Sequence, residues 1–174
     1  MNHSGWSIDD AFVSLGSNLG DSIAAIHAAL ARLEPLSCLP LRVSSLWRTR
    51  PVDCPPGSPW FVNAAAALRP RPGETPESLL PKLQALERDF GRQPKQGLNE
   101  PRPLDLDLLV FRNEVRASAS LTLPHPRAHL RRFVLEPLGE IAPDLVLPGQ
   151  SEPVAALLER LEPDPDFVRV ADHP

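Results

Sequence analysis

Two stretches with helical periodicity, each framed by strand-like runs, constrain the fold of this chain more than any other feature. AFVSLGS, Ala11 to Ser17, is a short apolar run closed at Gly16 and reads as a buried strand. Asp21 stands where a helix cap is wanted, Ile23, Ile26, Leu30 and Leu33 fall at helical spacing, and Pro35 stops the element. LRVSSLWRTR alternates as a strand from about Leu41 to Arg50, and FVNAAAAL gives another from Phe61 to about Leu68. A second helix carries Leu79, Leu83, Leu86 and Phe90 on one face with Gly91 as its C-cap. Pro81 predicts that this helix starts near Ser78 or has a distorted first turn, because an interior proline loses a hydrogen bond. LDLDLLVF, from Leu104, is the last core strand. The order β-α-β-β-α-β specifies a ferredoxin-like α+β core, an antiparallel sheet packed by helices. Helical additions follow, at about Arg131 to Glu140 and about Ser151 to Leu161, the latter with Leu157, Leu158 and Leu161 inward, and DFVRV supplies a final strand.

A chain of 174 residues, 42% hydrophobic, is long enough to bury one core. The expectation is a single domain over residues 1–174, with 1–10 and 163–174 as loosely ordered tails. The 22 prolines cluster between the periodic segments, as in DCPPGSPW and LRPRPGETP, and read as stiffened loops. A net charge of −4 argues against general affinity for nucleic acid, although a local basic cluster could still hold phosphate. Two cysteines, Cys38 and Cys54, make no disulfide framework or zinc pattern and read as structural thiols. The amino terminus lacks a basic region followed by an apolar run, and no segment approaches the roughly 20 apolar residues of a membrane helix. A cytoplasmic monomer is expected, acting on small molecules and not on membranes or nucleic acid.

Alternation along LDLDL places Leu104, Leu106 and Leu108 on one face and Asp105 and Asp107 on the other. Residues i and i+2 of a strand lie roughly 6–7 Å apart, so the two carboxylates can jointly hold a hard cation such as magnesium. An isolated pair is more often a solvated sheet face. Two cationic segments flank it, however. GRQPKQGLNEPRP brings Arg92, Lys95 and Arg102 on a loop, and HPRAHLRR brings His125, Arg127, His129, Arg131 and Arg132. Carboxylates, magnesium, polyphosphate and arginines form a charge-alternating site, with arginine suited to phosphate by its planar fork. No P-loop, kinase-type glycine loop or dinucleotide fingerprint is present. The residues alone leave three readings open: phosphoryl or pyrophosphoryl transfer, metal-dependent hydrolysis of phosphate esters or nucleic acid, and a non-catalytic binding module.

FVSLGSNLGD, SSLWRTRPV, FVNAAA, LDLDLLVF, LTLPHPR and RFVLEPLGEIAPDL, in this order and spacing, resemble the 6-hydroxymethyl-7,8-dihydropterin pyrophosphokinase family. The resemblance runs from about Val13 to Leu147. It implies transfer of a pyrophosphoryl group from ATP, the co-substrate, to the hydroxymethyl oxygen of the reduced pterin in folate biosynthesis, with two Mg²⁺ ions. By position it implies Asp105 and Asp107 as metal carboxylates and Arg92 and Arg102 as catalytic cations. It further implies Gln84, Glu87, Lys95, Leu108, Thr122, His125 and Arg131 around ATP. Thr49, Val52, Phe61, Asn63 and Phe133 are implied around the pterin, the two phenylalanines sandwiching the bicycle. Four positions depart from the common pattern: Asn99 and Glu100 replace tryptophan and glycine, Arg50 replaces a proline, and Phe61 replaces a tyrosine.

Overall fold

A computed structural model describes residues 6–52, 54, 56–93 and 100–170. Strand β1 (Ala11–Ser17) leads to helix α1 (Ser22–Leu33), whose N-terminus is closed by Asp21 accepting from the Ala24 amide at 3.0 Å, a cap worth about 1 kcal/mol. Pro35 lies in the short 3₁₀ turn that follows. Ile26, Ala29 and Leu33 are buried, whereas Ile23, expected inward, is 38% exposed because it sits in the first turn, beyond the sheet.

The strand expected over Leu41 to Arg50 is two short ones, β2 (Arg42–Val43) and β3 (Trp47–Thr49). The break falls at Ser44 and Ser45. The Ser44 hydroxyl accepts from the Ala65 amide at 2.9 Å, where a ladder carbonyl would otherwise stand, and the Ser45 amide turns away to the Glu140 carboxylate at 2.6 Å. This is the competition that serine side chains offer to a backbone ladder. Strand β4 (Phe61–Leu68) pairs with both pieces.

Helix α2 (Pro76–Asp89) starts at Pro76, not near Ser78. Thr75 and Ser78 form a capping box that satisfies the first amides, and Pro81 is accommodated inside the helix with Leu79 and Leu83 fully buried beside it. The helix ends in a Schellman arrangement: the Gly91 amide reaches Arg88 O at 2.9 Å, the Arg92 amide reaches Glu87 O at 3.0 Å, and Gly91 takes φ +89°.

Strand β5 (Asp105–Phe111) completes the core, giving the order β5-β1-β4-β3. β1, α1 and β3 form one split βαβ unit with β4 between its strands, and β4, α2 and β5 form another around β1, so the sheet is antiparallel and ferredoxin-like. Beyond it come a small hairpin, β6 (Arg116–Ala117) with β7 (Thr122–Leu123), then α3 (Arg132–Ile141), α4 (Val154–Glu159) and β8 (Val168–Arg169). Helix α4 is shorter than the expected Ser151 to Leu161. Pro153 is extended and bridged to Val146, which keeps the residues before Val154 out of the helix. The stretches expected as loose tails are partly tied down. Trp6 meets the Phe12 ring edge-on at 6.2 Å, Asp10 is buried against Arg69 at 2.7 Å, and β8 pairs with β3.

The sheet is covered unequally. On one face Val13, Leu15, Ala64, Ala66, Leu104, Leu106 and Leu108 pack beneath α1 and α2. On the other, Phe12, Ala65, Ala67, Leu109 and Val110 pack beneath α3 and α4, through Val134, Leu135, Leu138 and Val154. Each fully buried leucine or phenylalanine contributes roughly 1.5–3 kcal/mol. The alanines of β4 let helices approach both faces closely. A bulge in β5 adjusts the alternation: Val13 pairs with Leu108 and Phe12 with Val110, so Leu109 is extra and Phe111 returns to the α1–α2 side. Helices α3 and α4 cover only one end of their face, and the other end is open.

Candidate active site

The open end is lined where strand alternation brings small or polar residues onto the uncovered face. Register sets Gly16 between Asn63 and Asp105, and Ser14 between Ala65 and Asp107. Phe61 and Asn63 on β4, Thr49 on β3 and the two aspartates on β5 share the floor and sides of a cleft of about 280 Å³. Its lining includes Thr49, Val52, Phe61 and Asn63 at one end, Arg92, Arg102, Asp105, Asp107, His125 and Arg131 at the other, and Phe133 from the first turn of α3. Eleven of the residues implied by the resemblance are thereby brought together.

The aspartate pair is held asymmetrically. Asp105 accepts from Arg92 Nη1 at 2.6 Å and from Arg102 Nη1 at 2.9 Å. Among the described residues, Asp107 has no hydrogen bond or ion pair. Burial pushes the Asp107 carboxyl above its ordinary value, with the nearby Asp105 charge adding to the rise and His125, Arg131 and Arg92 opposing it. Two carboxylates on one face, one of them desolvated and lacking a donor, make a hard-cation site in waiting, and magnesium at phosphate-transfer sites takes one or two carboxylates together with substrate oxygens. The residues present fit that ion.

Arg92 and Arg102 reach Asp105 by different routes. The Schellman turn after α2 returns Arg92 toward its own helix, where it also pairs with Glu87. Glu87 is buried and accepts from the Leu106 amide at 2.7 Å, so it joins α2, β5 and Arg92. Burial pushes its carboxyl up to about 7 against the pull of the Leu106 amide and Arg92, with Asp105 and Asp107 adding repulsion. Arg102 is fixed through its backbone: its amide donates to Asn18 Oδ1 at 2.8 Å, and the Asn18 amide donates to Arg102 O at 3.1 Å. The Asn18 side chain also donates to Pro59 O at 3.2 Å, tying three loops together from a buried position.

His125 is hooked to β5 through its amide, which donates to Leu109 O at 2.9 Å, and its Nδ1 accepts from the Arg127 amide at 3.3 Å. Burial lowers its tendency to take a proton, Asp107 opposing this and Arg131 reinforcing it. The Arg131 guanidinium stands over the Phe133 ring at 5.3 Å. At the other end Asn63, only 3% exposed, donates to Thr49 Oγ1 at 2.8 Å. Its Oδ1 lies 3.2 Å from where a Cβ on Gly16 would stand.

Four of the implied positions lie outside the cleft lining: Gln84 is on the exposed face of α2, Glu87 sits behind Arg92, Leu108 is core, and Thr122 is exposed on β7. Lys95 and Asn99 fall outside the described residues. Four lining residues were not singled out for this site from the sequence: Ser14, Gly16, Arg50 and Cys54; Arg127 enters with the cationic segment that contains it. Ser14 and Gly16 carried a usable signal, since they are the polar and small residues at i and i+2 of a buried strand next to the aspartates.

The model of the 7,8-dihydro-6-hydroxymethylpterin-pyrophosphokinase (HPPK) family matches residues 12–143. The 2-amino-4-hydroxy-6-hydroxymethyldihydropteridine pyrophosphokinase of Haemophilus influenzae is 41% identical over 140 residues, covering 80% of this chain and 85% of that protein. The protein of the same name from Pseudomonas aeruginosa is 41% identical over 142 residues, covering 81% and 85%. Among solved structures, wild-type HPPK-DHPS of Plasmodium falciparum with pteroate superposes with a TM-score of 0.70 at 12% identity, over 92% of this chain and 47% of that one, a likeness of fold. With the family model spanning both carboxylates, both flanking cationic segments and every strand of the cleft floor, the chain belongs to the 7,8-dihydro-6-hydroxymethylpterin-pyrophosphokinase family.

Proposed function

We propose that this chain transfers the pyrophosphoryl group of ATP to the hydroxymethyl oxygen of 6-hydroxymethyl-7,8-dihydropterin, giving the pterin diphosphate and AMP in folate biosynthesis. The observation that carries the reading is a single cleft with an amide, a hydroxyl and two phenyl rings at one end and two carboxylates among arginines at the other. The first end matches a flat heterocycle with donors and acceptors on its edge, and the second matches a metal-bound polyphosphate.

In the reaction a bond forms between the substrate oxygen and the β-phosphorus, the bond from that phosphorus to the oxygen bridging it to the α-phosphorus breaks, and the hydroxyl proton is lost. Asn63 and Thr49 hold the pterin edge, and Phe61 and Phe133 hold its faces. This aligns the hydroxymethyl group with the aspartate end, and alignment of two bound reactants is itself a large part of such a rate enhancement. Arg92 and Arg102 are placed where negative charge spreads as AMP leaves, Arg131 extends the cationic wall along the nucleotide, and His125 stands beside it as a hydrogen-bonding imidazole. Asp105 and Asp107 are the proposed ligands of two Mg²⁺ ions, which when bound supply neutralisation of the polyphosphate charge. Glu87 acts through Arg92, holding it at the end of α2.

The same reading takes residues 1–174 as one domain acting in the cytoplasm. Cys38 and Cys54 form no disulfide, and among the described residues no helix is long and apolar enough to cross a membrane. Incubation with ATP, Mg²⁺ and 6-hydroxymethyl-7,8-dihydropterin tests the activity. AMP formed in step with pterin diphosphate is expected; ADP, or no nucleotide consumption, refutes the proposal.

A further inference from the structure

Residues 164–170 lie beyond the stretch matched by the family model, yet they make the described chain's contacts with the outer edge of the cleft. Strand β8 pairs with β3 in antiparallel register, Arg48 opposite Val168 and Trp47 opposite Arg169, and the Val170 amide donates to Leu46 O at 2.8 Å. The Phe167 ring packs on Trp47 at 5.0 Å between centroids. Among the described residues the buried Trp47 indole nitrogen has no hydrogen-bond partner, so the ring is seated there by packing and not by its polar atom. Asp166 Oδ2 forms an ion pair with Arg50 Nε at 2.7 Å, and Arg50 also stands over the Trp60 ring at 5.5 Å.

Covering a sheet edge would account for the backbone pairing by itself. It does not account for Asp166 and Phe167, whose partners lead into the cleft. Arg50 lines it, next to Thr49, and Trp47 is the cross-strand partner of Asn63. Thr49 and Asn63 are joined at 2.8 Å and constitute the polar pair of the heterocycle end. The segment thus grips β3 on both sides of Thr49.

Resting on the pyrophosphokinase reading, we infer that residues 164–170 are a positioning element for the pterin end of the cleft, acting through Asp166 on Arg50 and through Phe167 on Trp47. Among the described residues no hydrogen bond or ion pair joins the segment to Asp105, Arg92 or Arg102, so its effect is confined to the pterin and leaves the nucleotide end alone.

The test is equilibrium binding of 6-hydroxymethyl-7,8-dihydropterin and, separately, of a non-hydrolysable ATP analogue with Mg²⁺, to the full chain and to variants. Asp166→Ala is expected to raise the pterin Kd about three- to fivefold, the scale of a half-exposed ion pair, and Phe167→Ala about tenfold, while the analogue Kd stays within about twofold. Asp166→Glu, which keeps the charge, restores most of the loss. A pterin Kd unchanged in both alanine variants, or parallel weakening of pterin and analogue, overturns the inference. Failure of the unsubstituted protein to bind pterin overturns the parent reading as well, which separates the two.

Discussion

The Arg92 guanidinium donates to the Asp105 carboxylate at 2.6 Å, joining the residue just past the end of α2 to the first residue of β5. The contact exists because Gly91 can take a positive φ and turn the chain back on its helix. Arg92→Ala is expected to lower kcat about 100-fold, the usual scale for losing one donor aimed at developing charge, with the fold retained. Arg92→Lys recovers little: Nη1 alone meets both Glu87 and Asp105, leaving the rest of the planar fork for phosphate oxygens, and an ammonium has no such second arm. Steady-state kinetics with circular dichroism checks both, and a kcat near that of the unsubstituted protein would refute the assignment.

Asp107 separates activity from stability. Its carboxyl is raised by burial and by Asp105, so the ionised form costs the folded state at any pH above the ordinary aspartate value. Asp107→Asn is expected to abolish turnover, by about 1,000-fold or more, and to raise Tm by a few degrees, since ~1 kcal/mol moves a chain of this size about 2–4 °C. Differential scanning calorimetry and an AMP-release assay give the two readouts, and an active or less stable variant counts against the site.

Gly16 is required for space, not for its dihedral freedom. A Cβ there would stand 3.2 Å from Asn63 Oδ1, displacing the amide proposed to meet the pterin. Gly16→Ala is expected to raise the pterin Kd about tenfold or more, leaving the ATP-analogue Kd within about twofold. Paired titrations decide it, equal losses for both ligands being the contrary result.

Glu87 predicts a pH dependence of stability. Its carboxyl is raised from 4.5 to about 7, so between those values the folded chain keeps a proton that the unfolded chain releases. Stability from this group therefore falls as pH rises through that window and levels off above it. Glu87→Gln removes the slope. Urea midpoints from pH 5 to 8 are expected to fall more steeply for the unsubstituted protein than for the variant, and parallel curves would show that Glu87 does not titrate there.

Asn18 links the turn after β1, the loop before β4 and the backbone of Arg102. Asn18→Ala leaves the Arg102 amide and Pro59 carbonyl without that partner, at a cost of about 1–3 kcal/mol. A Tm lowered by several degrees, with weaker nucleotide binding, is the expected outcome in thermal melts and analogue titrations.

The core was legible where one periodicity held without interruption. Ala11–Ser17, Phe61–Leu68 and the alternation of Asp105 and Asp107 follow from apolar spacing alone, and the flanking arginines marked the site's charge. The β2–β3 break was hidden because Ser44 and Ser45 fit an alternating strand; only Ala65 and Glu140, distant in sequence, divert them. Pro81 misled about the start of α2, since a capping box at Thr75 satisfies the first amides whatever lies further in.

The sequence by itself determined the element order, the shared face of Asp105 and Asp107 and the presence of two carboxylates among cations, because these depend on local spacing and composition. Only the tertiary structure decided that α3 and α4 cover one end of the sheet and leave the other open. It likewise set Gly16 between Asn63 and Asp105 and brought Asp166 to Arg50. These relations depend on strand register and on packing between residues far apart in the chain, which no local pattern encodes.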